Sequence, residues 1–476
     1  MTVPQARGGD RDRRAELSTS SARVAAQSRG DRHELQDDHM SEAPARSIPS
    51  STIERAIRLS YGQAMLNSIY IASTGGMFLI GYALKLGASN VLIGLMNTVP
   101  MLFVVTQLLA SVVVERGVSR RLITVAAALA NVSGWALVIL IPYVAAKAPP
   151  VYRMGALIAI ITLVTALGQI SNNARNSWLG DLVPATGRGR FFGRFNMYAG
   201  IVGTVFALLE GTFLDHVKLM GIGAFSWLFA FGMVFGLANA MLFVPQPDIP
   251  LARGESNAAF GRMARATFAN TPLMLVMGWS LMWSMQAIAW PFYATYMLRD
   301  LKMPFLGVGA VNAVVMLMFL AASPFWGRVV DRYGSRPVLI ACTVVLAPVP
   351  LIWIWMTSAA AVYAAVAPLN LLVGFVFGGT SVAVNTLIYK LTPSAGRSVQ
   401  LAIYATLVVL GAAPMPALGG YLPEVFKHFG IQADLRLTFY LTIPFVAGAA
   451  WMARGIAEPG ARSTLEMIRS LRSAWR

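Results

Sequence analysis

The sequence predicts an all-α integral membrane protein of twelve transmembrane helices, built as two related halves. Its 476 residues are 56% hydrophobic and only 12% charged, with a mean hydropathy of +0.61. Soluble domains carry about 25% charged residues. The apolar residues fall in runs of the length a helix needs to cross roughly 30 Å of hydrocarbon, and no alternating ten-residue pattern suggests a barrel. Backbone groups in lipid must pair internally, so every span is expected to be helical. One stretch also occurs twice. Residues 176–188 and 385–397 share Asn176/Asn385, Leu182/Leu391, Pro184/Pro393, Gly187/Gly396 and Arg188/Arg397 at an offset of 209. Residues 115–120 repeat as 331–336 at an offset of 216, in the same order, which marks an internal repeat.

Residues 1–50 carry eight Arg and eight acids with almost no large apolar residues, so they are expected to form a disordered, neutral cytoplasmic tail. They contain no apolar h-region and are not a cleaved signal; Met40 is an alternative start. The spans follow at about 61–84, 90–114, 122–145, 152–175, 192–214 and 222–244 in a first half (51–245). A polar linker, 246–271, precedes spans at 273–297, 304–327, 337–357, 360–387, 398–422 and 436–456 in a second half (272–457). In the cytoplasmic tail, 458–476, Ser463 and Glu466 form a capping box for a short helix whose Leu465, Ile468, Leu471 and Trp475 share a face. That helix is expected on the membrane surface.

Charge sets the orientation. With both termini cytoplasmic, 22 of the 30 Lys and Arg outside the N-terminal tail lie on the cytoplasmic side and eight lie outside. The reverse topology would invert the positive-inside rule. The same rule accounts for a pI of 10.4 without nucleic-acid binding. The single cysteine, Cys342, excludes an intramolecular disulfide, and His33, His39, His216 and His428 all fall in tails or outer loops. No metal or cofactor site, nucleotide loop or hydrolase motif is present, which argues against an enzyme.

The segment from Gly327 through Asp331, Arg332, Gly334 and Arg336 to Pro337 resembles the loop between spans 8 and 9 of the major facilitator superfamily, Gly-x-x-x-Asp-Arg-x-Gly-x-Arg/Lys. The copy after span 2 departs from it, with Ser111, Glu115 and Val118 at the Gly, Asp and Gly positions. Asp181 to Pro184, with Arg188 to Arg194, is similar to the loop after span 4 in bacterial members. The resemblance covers about 55–457. It implies two pseudo-symmetric six-helix bundles around a central cavity, rocking to open it to either side in turn. Charge-assisted bonds at the cytoplasmic face would then latch one state. Asp331, Arg332 and Arg336 are the expected latch, supported by Glu115, Arg116, Asp181 and Arg188; Arg190 and Arg194 are expected mainly to fix orientation.

In that superfamily spans 1, 4, 7 and 10 line the path. Span 7 carries Trp279, Trp283, Gln286, Trp290 and Tyr293 at helical steps, with Pro291 placed to kink the helix. A shift of 216 lands on Gln63, Asn67, Tyr70 and Thr74 in span 1. Span 4 offers Thr162, Thr165, Gln169, Asn172 and Asn176; span 10 offers Asn370, Ser381 and Asn385 beside Gly374, Gly378 and Gly379. Each amide could equally serve to hold helices together. Rings with amides suit a small neutral or weakly charged organic solute, such as a sugar, a nucleoside-like compound or an amphipathic drug-like molecule.

The expected function is secondary transport across a bacterial inner membrane, by a chain acting as a monomer whose partners are the solute and the lipid bilayer. Glu210 in span 5 is the candidate coupling acid, weighed against an interfacial acid near Asp215 and His216. Span 5 lacks the Pro-containing glycine motif of many drug/proton antiporters. Proton-coupled efflux of drugs or metabolites remains an alternative, as does a non-transporting assembly factor or receptor on the same scaffold.

Overall fold

Ten helices among the described residues are long and apolar enough to cross a membrane. They cover spans 1, 3–11 at 51–85, 120–144, 150–175, 191–216, 223–241, 271–300, 305–333, 335–353, 368–391 and 403–428. The computed structural model describes residues 50–106, 119–182, 188–247, 265–392, 397–429 and 435–474. Span 2 is the shorter helix Asn90–Val105, followed by residues outside that description. Span 12 is Arg436–Tyr440 followed by Thr442–Gly455. The twelve-helix prediction therefore has a helix at every position, and no strand occurs among the described residues. The predicted tail 1–49 and most of the linker lie outside the description.

Two central helices are broken in the same register. Span 1 is Ser50–Thr74 and then Gly76–Lys85. Span 7 runs Thr271–Ser284, passes through a 3-10 turn at Met285–Ile288, and resumes at Trp290–Thr295. Pro291 explains the second break: it has no N–H to donate, and its ring would collide with the carbonyl of Ala287 in a continuous helix. The 216-residue repeat offset carries Gly75 onto Pro291. The halves thus interrupt equivalent helices with different residues.

Two apolar cores hold the molecule. One spans both halves at the predicted outer end, bringing Phe78, Tyr82, Trp135 and Phe229 together with Phe292, Tyr296, Trp353 and Phe439. The other belongs to the second half, around Trp279, Trp326, Val338 and Leu387. Residues 54–476 form one compact unit. The C-terminal helix Thr464–Ala474 is capped by Ser463, whose Oγ accepts from Glu466 N at 3.1 Å, while the Glu466 carboxylate pairs with Arg462 at 3.1 Å. Met467 is buried in the second core and Leu471 packs on it, whereas Leu465 and Ile468 are exposed. The helix is therefore docked on protein through one face that includes Leu471, departing from the expected shared face, and presents Leu465 and Ile468 on another; Trp475 lies outside the described residues.

Candidate functional site

Three adjoining recesses run through the centre. They measure about 380, 640 and 420 Å³; a fourth, of about 440 Å³, lies at the predicted outer end by Lys85 and Lys218. The 380 Å³ recess is walled by the first half: Asn67, Tyr70, Asn131, Thr165, Gln169, Asn172, Arg175 and Asn239. The 640 Å³ recess lies between spans 1, 5 and 8 and shares Ile71 with the first and Asn312, Met316 and Phe319 with the third. The 420 Å³ recess is walled by the second half, with Gln286, Trp290, Tyr293, Trp353, Asn370 and Phe377. An amide-rich wall thus lies on one side and an aromatic-rich wall on the other.

The amide wall is pre-organised by its own bonds. Tyr70 Oη donates to Asn131 Oδ1 at 2.9 Å, and Asn131 Nδ2 donates to Val164 O at 2.6 Å. Asn239 Nδ2 reaches Asn67 Oδ1 at 3.4 Å, and buried Asn239 Oδ1 has no partner among the described residues. Arg175 donates to Asn172 Oδ1. Helix 4 presents Thr165, Gln169 and Asn172 on one stripe at steps of four and three. Thr162 instead donates to Ile158 O in its own helix. The Asn176 side chain is outside the described set.

Other predicted residues face elsewhere. Gln63 is buried and accepts from Gln246 Nε2 at 2.9 Å, tying span 1 to the end of span 6. Thr74 is buried and donates to Tyr70 O at 2.6 Å. The break in span 7 corrects the single-face reading of its stripe. Trp279 turns into the second core, where its Nε1 donates to buried Thr343 Oγ1 at 3.2 Å. Trp283 stacks on it at 5.2 Å and meets Phe377 edge-on. Only Gln286, Trp290 and Tyr293, at and beyond the break, line the recess. On span 10, Asn370 lines it while donating to Val311 O at 2.8 Å, and Asn385 donates to Ser381 O in its own helix. Sequence reasoning restricted to spans 1, 4, 7 and 10 missed Asn131, Asn239 and Asn312; an amide within the apolar runs of spans 3, 6 and 8 was the available signal.

Glu210 is 4% exposed and accepts from Ser73 Oγ at 2.5 Å, while its Oε2 has no partner among the described residues. An interfacial acid would be hydrated; this one is sealed between spans 1 and 5. Ser73 Oγ also lies 2.8 Å from Ile69 O. One hydroxyl proton cannot serve both contacts, so a protonated Glu210 satisfies the pair where a carboxylate does not.

At the predicted cytoplasmic end, Asp331 is exposed and has no described partner; Arg332 lies against the Tyr333 ring. Arg336 donates to Arg454 O at 2.6 Å. The acid that binds here is Glu458, missed by motif reading. It accepts from Ser335 N at 3.1 Å and Arg336 N at 2.7 Å, and pairs with Lys390 at 2.9 Å. Gly334, at φ 96°, reverses the chain so that these two amides point at it. Burial raises the Glu458 pKa, but Lys390 and the two amides outweigh it and hold the carboxyl below its ordinary value. Glu115 and Arg116 lie outside the described residues, as do the side chains of Asp181 and Arg188. No group of three or more metal-ligating side chains occurs among the described residues.

Residues 275–476 match the family model described as Major Facilitator Superfamily. Multidrug resistance protein MdtG of Dickeya zeae (strain Ech586) is 33% identical over 141 residues, which is 28% of this chain and 30% of that protein. The chain thus aligns with under a third of that relative's length. Among solved structures, a variant of nucleoside transporter NupG superposes with a TM-score of 0.67 at 13% identity, covering 85% of this chain and all of that one. A D-xylose-proton symporter gives 0.64 at 15% identity over 87% and 99% of the chains. A bacterial homologue of the human lysosomal transporter Spinster, inward-facing and occupied, gives 0.60 at 15% identity over 87% and 97%. These likenesses carry the fold across both halves, and the sequence match carries the second. Residues 275–476 thus carry the sequence likeness to the major facilitator superfamily, and the likeness of fold extends over both halves.

Proposed function

We propose that the chain is a secondary transporter that moves a small neutral or weakly charged organic solute across a bacterial inner membrane by alternating access. One observation carries the reading: an amide wall from the first half faces an aromatic wall from the second across connected central recesses. Rings stack on Trp290 and Tyr293, and hydroxyls or carbonyls bond to Gln169, Asn67 and Asn370. The solute therefore needs an apolar face and neutral hydrogen-bonding groups. Asp331, Arg332 and Arg336, with Glu115, Arg116, Asp181 and Arg188, are proposed to act at the cytoplasmic gate.

Glu210 is the proposed coupling acid, exchanging a proton as span 1 shifts against span 5. Protonation removes the cost of a buried charge with an unpartnered oxygen. The test is a panel of sugars, nucleosides and lipophilic drugs in proteoliposomes with an imposed proton gradient. Glu210→Gln should abolish gradient-driven accumulation while leaving solute exchange within about threefold. Equal loss of both in a folded variant would remove Glu210 from coupling, and no transport of any compound would favour a non-transporting role.

Export of amphipathic compounds is the second reading. The aligned stretch of a multidrug resistance protein and the 54% exposure of cavity-lining Trp290 favour it. Its discriminating result is solute leaving inside-out vesicles' outer medium only when their lumen is acidic.

A further inference from the structure

The residues proposed for the cytoplasmic gate sit at one end of the molecule, and a polar clasp between the halves lies at the other. The helix of span 8, Phe305–Tyr333, starts after Pro304 and has no side-chain cap of its own. Its first amides would therefore lack partners. Asp215, at the end of span 5 in the other half, supplies them: Oδ1 accepts from Phe305 N at 3.0 Å and Oδ2 from Leu306 N at 2.8 Å. Its side chain is 13% exposed, with Lys218 Nζ at 3.9 Å. The Phe305 ring enters the first half's core, stacked on Phe78 at 6.0 Å and edge-on to Phe225 at 5.8 Å.

We propose that Asp215 is the releasable bolt of the outer gate: it binds the amino end of span 8 while that end is closed and lets go when it opens. This rests on the alternating-access reading. A carboxylate at a helix amino end gains from two amide bonds and from the helix dipole, so it favours the closed state. The same groups lie near the surface, and water can take over both amides and the carboxylate on opening. A contact between two fully dry groups could not be exchanged so cheaply. The bolt works with a dry seam beside it, where Gly420 lies so close to Asn90 O that any Cβ would collide. Arg299 donates to Asn90 Oδ1 at 2.7 Å across the same seam.

The experiment uses the full-length protein in right-side-out vesicles, with a cysteine at Ala72 on the wall of the central recess. The native Cys342 is buried and serves as an unreactive background. A membrane-impermeant maleimide is added outside. Asp215→Ala should raise labelling of the Ala72 cysteine at least about tenfold, Asp215→Asn should give an intermediate rise, and a control cysteine at exposed Lys85 should label as before. Gly420→Leu, which blocks the seam directly, provides the reference for an open gate. If Gly420→Leu raises labelling and neither Asp215 variant does, the bolt is wrong and alternating access stands. If no variant raises it, outward opening itself is contradicted.

Discussion

A tryptophan in an apolar helix can fill a core or face a solute, and here neighbours on one stripe do different things. Trp279 is 2% exposed with its indole N–H on Thr343, whereas Trp290 is 54% exposed at the recess. Trp279→Ala leaves a large cavity, with Thr343 keeping only its own bond to Leu339 O, and should cost about 3–5 kcal/mol, read as a lowered melting temperature. Gln169 lines the amide wall and makes no described hydrogen bond, so its amide is free for solute. Gln169→Ala should leave the melting temperature nearly unchanged and raise KM about tenfold for the transported solute, a loss of about 1.4 kcal/mol. An unchanged KM would move the contact off span 4. The placing of Asn67, Tyr70, Gln169 and Asn172 at one recess was readable because span 4 is unbroken and Asn67 and Tyr70 lie just before the span 1 break, whereas Gln63, Thr74 and Thr162 on the same stripes bond elsewhere. The assignment within span 7 was unreadable, because a helical stripe presumes the continuous helix that the 3-10 turn destroys.

At the scale of elements, all twelve helical positions were legible from hydropathy, since lipid leaves the backbone no alternative. The two breaks were half legible: Pro291 announces one, while Gly75 becomes informative only when set against it by the repeat. The knot at Glu458 was not legible, because it joins residues 335, 336, 390 and 458 across long sequence separations. It fastens the ends of spans 9, 10 and 12. Because the folded-state pKa of Glu458 is lowered, its stabilisation is complete above the ordinary glutamate value of about 4.3 and is lost as pH falls through the lower folded value. Thermal stability should therefore fall on acidification below about pH 4.3, and Glu458→Gln should remove part of that dependence while costing about 1–3 kcal/mol at neutral pH. Identical pH profiles for the two proteins would show that the carboxylate does not hold these ends together.

Over the whole molecule, closure is asymmetric in kind. The halves share an apolar core and polar bonds at the predicted outer end, including Thr98 Oγ1 accepting from Ala417 N at 2.9 Å. The second half keeps a separate core toward its predicted cytoplasmic end. On the alternating-access proposal each half would move as a body, with the core at the predicted outer end the surface that parts. The repeat announced two halves, but the sequence could not say which end is closed, since the charge bias sets orientation and carries no information on which end the halves pack together. The most direct test places spin labels at Lys218 and Lys427, both exposed on the predicted outer side and in opposite halves. Pulsed electron–electron distances are then recorded in lipid across the solute panel and pH 5–8. Alternating access predicts two populations, a short one matching the closed outer end and a longer one, with a transported solute or a pH change shifting their ratio. A single distance unmoved by every condition would contradict it.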